Sequence, residues 1–194
     1  MKKNLKFEKM DLKDFEKKRI MHIDTSSKLY ERKDTGITYK IISSNVHKGL
    51  ALSKKLKKEL ERDLKIDEDY ARIYAICIYY LIKNDLDKFG ILVICGDENY
   101  ALTKKYLDLL FINNRVYLDK KLISLYELRE ITGKKKLKSY ADNTARSYRK
   151  RALKSLRRTQ VGTILNPVRV SYKNIREKWD EIEKKMNIRN VSGE

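Results

Sequence analysis

The chain has two cysteines, two histidines, one proline and one tryptophan in 194 residues. Cys77 and Cys95 show neither Cys-x-x-Cys nor Cys/His ligand spacing and fall in apolar surroundings, which speaks against a disulfide scaffold and a zinc site. With only His22 and His47, a hydrolase triad or a histidine-rich metal centre has little to draw on, and His22, inside a strand, reads as structural. No apolar run approaches the roughly 20 residues of a transmembrane helix. The charged start, Met1-Lys2-Lys3-Asn4-Leu5-Lys6, leads into no apolar stretch, so a secretory leader is not expected. Nor is there a Gly-x-x-x-x-Gly-Lys-[Ser/Thr] loop, a Gly-x-Gly-x-x-Gly turn after a strand, or a Gly-x-Ser-x-Gly elbow. The expectation is a soluble cytoplasmic protein with no membrane partner and no nucleotide-binding loop of those kinds.

What the chain has in excess is positive charge: 46 Lys+Arg against 27 Asp+Glu, a net +19. A hydrophobic share of 41% excludes wholesale disorder. Lys, Ile, Tyr and Asn are abundant, a profile that coding bias alone can produce. Coding bias acts along the whole chain, however, and here the excess is concentrated. Lys134 to Arg158 carries 11 basic residues and one acid, Asp142. Such a segment attracts polyanions, nucleic acid above all.

The hydrophobic periodicities read as one α/β domain. After a polar lead-in over 1–18, Arg19–Asp24 reads as a strand ending at an acid, and Ile37–Ser44 as a second strand of period two, antiparallel to the first. Leu52, Leu56, Leu60 and Leu64 lie at steps of four, which predicts a helix over Lys48–Lys65. A nearly all-apolar helix over Tyr70–Lys83 follows, with Asp67 as its cap. Gly90–Gly96 is the strongest strand signal, a β-branched run expected to be covered on both faces. A helix over Tyr100–Phe111, a short strand over Arg115–Asp119 and a helix over Leu122–Ile131 come next. Ala141, Ala145, Tyr148, Ala152 and Leu156 then share one arc of an amphipathic helix whose other side is cationic. Val168–Tyr172 reads as a strand and Ile175–Met186 as a last helix bearing Trp179. The expected architecture is an α/β domain over 19–158 and a basic helical C-terminal extension, with residues 159–194 carrying the final helix.

Three carboxylates carry the chemical argument. Asp24 ends the first strand and Asp97 ends the central one. If those strands are parallel neighbours, both acids emerge at the carboxyl edge, where open α/β sheets collect ligands. Two carboxylates there repel unless a cation lies between them, and Mg²⁺ or Mn²⁺ suits hard oxygen donors. The simpler account is that each Asp caps a turn or a helix. Asp142 weighs against it. It sits on the shoulder of the apolar arc in a segment otherwise built to attract phosphate, where a metal ligand makes sense and a surface acid does not.

These residues form three motifs: Ile23-Asp24-Thr25-Ser26, Cys95-Gly96-Asp97, and Tyr140-Ala141-Asp142-Asn143-Thr144-Ala145. Together they resemble the ribonuclease H-like superfamily, in particular its small members with Ile-Asp-x-Ser and Ala-Asp-x-x-Ala motifs. The resemblance covers about Arg19 to Ala152. It implies a mixed sheet flanked by helices, and Asp24, Asp97 and Asp142 as catalytic ligands of two divalent metals in nucleic-acid strand cleavage. A fourth acid would come from Glu59 or Glu61 on the first long helix, or from Glu98. The family usually places three strands before that helix, whereas two are read here.

The leading expectation is therefore a nucleic-acid-binding protein that acts as a Mg²⁺- or Mn²⁺-dependent nuclease on RNA, DNA or a hybrid. Lys134, Lys135, Lys136, Arg146, Arg149, Lys150, Arg151, Lys154, Arg157 and Arg158 would position the phosphate backbone. The alternatives are a non-catalytic nucleic-acid binder, with Tyr140, Tyr148 and Tyr172 as stacking candidates, and a basic module docking on an acidic protein.

Overall fold

A computed structural model describes residues 19–42, 44, 46–64, 66, 69–95, 98–155 and 167–192; side chains at 151–155 and 189–192 lie outside that description. Strands β1 (Ile20–Thr25), β2 (Thr35–Ile41), β3 (His47–Leu52), β4 (Ile91–Ile94) and β5 (Lys121–Ser124) make one mixed sheet in the order β3-β2-β1-β4-β5. β1, β2 and β3 pair antiparallel, whereas β4 lies parallel to both β1 and β5. Strand alternation sorts the side chains. Met21, Ile23, Ile37, Tyr39, Leu50, Leu52, Leu92 and Ile94 enter the main core on one face. Ile91, Val93, Cys95 and Ile123 form a smaller cluster on the other. All four residues of β4 are buried, as its continuous apolar run requires.

Helices α1 (Lys54–Leu64), α2 (Tyr70–Ile82), α3 (Tyr100–Leu110), α4 (Arg115–Leu118), α5 (Leu125–Thr132), α6 (Asp142–Ser155) and α7 (Tyr172–Ser192) surround the sheet. α2 is the apolar helix of the main core, and its one charged residue has a specific place. Arg72 stacks over Trp179 at 4.0 Å and Tyr106 at 5.2 Å, and its Nε donates to Asp69 at 3.1 Å. α7 thereby docks on α2, with Ile175, Trp179 and Ile182 inside the main core. Asp69, not Asp67, caps α2 by accepting from the Arg72 N–H; Asp67 lies outside the described residues.

Four segments differ from the sequence reading. The helix expected over Lys48–Lys65 begins only at Lys54, after strand β3. Leu52 falls in step with the leucine stripe of α1, which hid a strand whose own alternation spans only Gly49–Leu52. Ser53 separates the two, its hydroxyl accepting from Leu56 N–H at 3.1 Å. Arg115–Asp119 is one helical turn started by Asn114, whose side chain accepts from Tyr117 N–H. Tyr117 is buried while Val116 and Leu118 are exposed, the reverse of the burial the alternation implied. The strand lies instead at Lys121–Ser124, the first part of the expected Leu122–Ile131 helix, because pairing with β4 decides it. No strand forms at Val168–Tyr172; only Val168 N–H reaches the sheet, at Gly49 O, 2.9 Å. The lead-in over 1–18 and the segment 156–166 lie outside the described residues.

A buried acid ties the core's polar end together. Asp85 is 1% exposed and accepts from Tyr39 Oη at 2.9 Å and from Lys48 Nζ and Lys88 Nζ, both at 2.5 Å. Burial works to raise its pKa, but the three donors outweigh it and hold the carboxyl below its ordinary value. A depressed folded pKa means the stabilisation is present above the unfolded value, about 3.9, and is lost as pH falls through the folded one. Asp85→Asn is therefore expected to cost about 2 kcal/mol near neutrality. In urea melts the gap to wild type should hold steady above about pH 5 and narrow progressively as pH falls below it; a gap constant with pH would refute the charge-based account.

Candidate carboxylate and nucleic-acid site

The carboxyl ends of β1 and β4 are adjacent, since Ile23 pairs with Ile94. Asp24 follows Ile23 and so points to the opposite face from the main core, the face it shares with His22. Its Oδ1 accepts from Thr25 N–H at 2.8 Å. Tyr74 reaches the same edge from α2, donating its hydroxyl to Cys95 O at 2.7 Å. Burial pushes the Tyr74 hydroxyl well up, and the negative charges of Asp24 and Glu98 add to it. Asp97 itself lies outside the described residues.

The loop between β1 and β2 is fastened from two sides. Glu98 Oε1 accepts from Leu29 N–H at 3.0 Å. Lys57, buried on α1, donates Nζ to Leu29 O at 2.9 Å, Glu31 O at 2.6 Å and Thr35 Oγ1 at 3.0 Å. All three ammonium protons are used, as a buried cation requires. Burial still lowers the Lys57 pKa, against the charges of Glu61, Asp34, Glu31 and Glu98. Glu59 and Glu61, the expected helix acids, do not take this position: Glu61 accepts from Tyr70 Oη at 3.0 Å, and both line a surface hollow with Lys55, Lys58 and Arg62. The α1 side chain directed at the loop after Asp24 is a lysine.

α6 lies on the sheet face that bears Asp24. A Cβ at Gly36 would sit 2.3 Å from Ala145 O and 2.7 Å from Arg149 N; one at Gly49 would sit 2.6 Å from the Tyr148 ring. Two glycines on adjacent strands therefore let the helix backbone settle onto β2 and β3. Ala141, Ala145 and Tyr148 are fully buried beneath it. Tyr148 Oη lies 3.3 Å from His47 Nδ1, with the rings edge to face at 5.9 Å. Arg149 Nη1 donates to Ser26 O at 3.1 Å, beyond Asp24. Tyr140, just before α6, meets His22 edge to face at 5.3 Å. The helix thus crosses the sheet from His22 of β1 over Gly36 of β2 to Gly49 of β3, with Arg149 reaching back to Ser26.

Asp142 begins α6, the helix that packs on the sheet face bearing Asp24. Gly36 N–H donates to Ser26 Oγ at 2.8 Å, which ties the loop after Asp24 to β2 beneath that helix. Asp142 and Arg149, seven residues apart, share a flank of the helix. The Asp142 carboxylate is paired with Arg146, at 3.1 Å to Nε and 3.2 Å to Nη2. Among the described residues no group of three His, Cys, Asp or Glu side chains is gathered as a metal site.

Lys134, Lys135 and Lys136 are exposed on the connection between α5 and α6. That connection is pinned by Arg129 Nε donating to Leu137 O at 2.9 Å. Lys150 is exposed and Arg149 half-buried. Arg151 and Lys154 belong to α6, with side chains outside the description, as are Arg157 and Arg158 entirely. His22 is fully buried; its Nδ1 lies 3.8 Å from Cys95 Sγ, and its Nε2 has no hydrogen-bond partner among the described residues. Burial lowers its pKa to about 4, so the imidazole is neutral at physiological pH. Cys95 is pushed up to about 12, chiefly by burial, which makes its thiol a poor nucleophile. Of the tyrosines named as stacking candidates, only Tyr140 is exposed, at 50%.

Compared with protein-family models, with curated proteins and with solved structures, the chain matches none. The site rests on its own geometry. Sequence reasoning missed Lys57, although Lys57, Leu60 and Leu64 mark the buried face of α1 at helical spacing. It also missed Gly36 and Gly49, whose strand positions were a sign of close backbone approach.

The docking of α6 can be tested directly. At Gly36 the obstructing atoms are backbone, so an added methyl cannot be relieved by a rotamer change. Gly36→Ala should destabilise by about 1–3 kcal/mol. Amide exchange should rise across 141–150 while β4 stays protected; unchanged exchange in α6 would refute the close approach.

Proposed function

We propose that the protein is a metal-dependent nuclease of ribonuclease H-like architecture that binds nucleic acid through α6 and the Lys134–Lys136 connection. The observation that carries the reading is the packing of α6 on the sheet face bearing Asp24, with Arg149 donating to Ser26 O two residues beyond it. The sheet adds support. The resemblance implies three strands before the first long helix, and β3 supplies the third. The parallel β1–β4 pair is the arrangement under which strand-end acids meet at one edge.

Asp24 and Asp142, with Asp97 of the central motif, offer hard oxygen donors of the kind that suits Mg²⁺ or Mn²⁺ and not softer ions. When bound, such ions polarise a phosphodiester and lower the pKa of attacking water. The chain's own side chains do the rest. Lys134, Lys135, Lys136 and Lys150 neutralise backbone phosphates, which positions a strand without reading its bases. Lys57 and Glu98 hold the β1–β2 loop, and Tyr74 is held at the Cys95 carbonyl, so Asp24 is presented from fixed backbone. Neutral His22 is buried on the same face of β1, two residues before Asp24.

A second reading, binding without cleavage, draws on the Asp142–Arg146 pair. One experiment separates the two. Labelled single strands, duplexes and RNA–DNA hybrids are incubated with the full chain in Mg²⁺, in Mn²⁺ and in EDTA. Cleavage is expected in either metal and not in EDTA. Asp24→Asn should reduce it at least a hundredfold, about 3 kcal/mol of transition-state stabilisation, while leaving binding in place. Binding without cleavage, indifferent to Asp24→Asn, would establish the second reading. No binding to any nucleic acid at low salt would overturn both.

A further inference from the structure

Three tyrosines among the described residues are strongly exposed: Tyr30 at 50%, Tyr126 at 66% and Tyr140 at 50%. Singly exposed aromatics need no explanation. Two of these, however, stand at the edge that carries Asp24. Tyr30 is in the loop leaving the carboxyl end of β1. Tyr126 is in the first turn of α5, directly after the carboxyl end of β5, and β5 runs parallel to β4 and β1.

The Tyr30 ring is held by its neighbours, and the backbone of Tyr126 by the start of its helix. Tyr30 meets Tyr70 edge to face at 6.1 Å, and Lys28 Nζ lies 5.4 Å from its centroid. Its loop is fastened by Lys57 and Glu98. Tyr126 follows a complete capping box, Ser124 with Glu127, which fixes its backbone at the start of α5. Much of the cost of ordering an aromatic platform is thus met before a ligand arrives.

Resting on the nuclease reading, we propose that the nucleic acid taken at this edge is unpaired, with bases stacking on Tyr30 and Tyr126. A duplex keeps its base faces inside the helix and offers a protein only backbone and groove edges. An exposed ring can stack only on a base outside a duplex. β1 and β5 are two strand spacings apart, about 10 Å, or about three steps of a stacked strand at 3.4 Å. Tyr30 lies against the N-terminal end of α2 on the main-core side, and Tyr126 lies on α5, which covers the other face. A single strand joining them crosses the sheet edge beside Asp24. Lys28, Arg32 and Lys33 flank Tyr30, and Arg149 and Lys150 lie on the α6 side, so cations border the path at both faces.

The test is fluorescence anisotropy with labelled 20-mers of single-stranded RNA, single-stranded DNA and duplex DNA, using the full chain over a range of salt. At least a tenfold preference for one or both single strands over duplex is expected. Tyr30→Leu and Tyr126→Leu should each weaken single-strand binding about five- to tenfold at unchanged duplex affinity and unchanged salt slope. Tyr30→Phe and Tyr126→Phe should bind like wild type, which separates stacking from the hydroxyl. Lys135→Ala with Lys150→Ala should instead weaken all probes alike and flatten the salt slope. The proposal is overturned if the Leu variants bind like wild type with unaltered melting curves, or if duplex is preferred. In either case a loss in the lysine variant leaves the nucleic-acid reading standing. No binding of any probe by wild type overturns the reading together with the proposal.

Discussion

The contact on which the arrangement depends is the approach of the α6 backbone to Gly36. A residue with a side chain there would hold the helix off the sheet by the width of a methyl group or more. With glycine, Ala145 O and Arg149 N lie directly over β2, and Tyr148 settles on Gly49. The consequence is electrostatic as well as steric. A helix whose outer face carries Arg146 and Lys150 is held close to a strand that ends in Asp24. Without the close approach, that helix would be one more solvated cationic surface.

The acidic edge is rigid for a different reason. The turn after Asp24 is neither short nor glycine-rich, and left to itself it would be mobile. Lys57 replaces lost solvation with three acceptors, two of them carbonyls of the loop. Glu98 fixes Leu29 N–H from the β4 side. Desolvating an ammonium is costly, and only full hydrogen bonding offsets it. Conformational specificity of the loop is what this arrangement adds over an apolar residue at the same place.

How far the sequence foretold this depends on whether a signal was local. β1, β2, β4, α2 and α3 carry their own periodicity and were legible to within a few residues. β3 was not, because Leu52 belongs by spacing to the stripe Leu56, Leu60 and Leu64, and only pairing with β2 makes it a strand. Arg115–Leu118 and Lys121–Ser124 were exchanged for the same reason. The first has strand-like alternation but an Asn114 cap, and the second has no distinctive pattern but a neighbour in β4. At the site, Asp24 was legible as the polar end of an apolar strand, and the burial of Ala141, Ala145 and Tyr148 as one arc of α6. Lys57 was not, because a lysine among charged helix residues gives no sign of which acceptors lie above it. Glu98 was weighed as a ligand, and one of its oxygens is committed to a backbone N–H.

The Asp142–Arg146 pair bears on whether the carboxylates could ever act together. The pair is an i,i+4 contact on a helix surface, with side chains 37% and 60% exposed. Contacts of this type contribute about 0.3–0.5 kcal/mol and weaken further with salt. The competing interaction is of another order. Under the nuclease reading, a divalent cation held at the ligand distances of Mg²⁺, about 2.0–2.1 Å, would attract a carboxylate far more strongly than Arg146 does. Arg146 would then be released to solvent, or to a phosphate, at little expense. The ion pair is thus better read as the resting partner of this carboxylate than as a lock on it. It also accounts for an acid in this cationic segment, because Arg146 neutralises Asp142 whenever no cation is present.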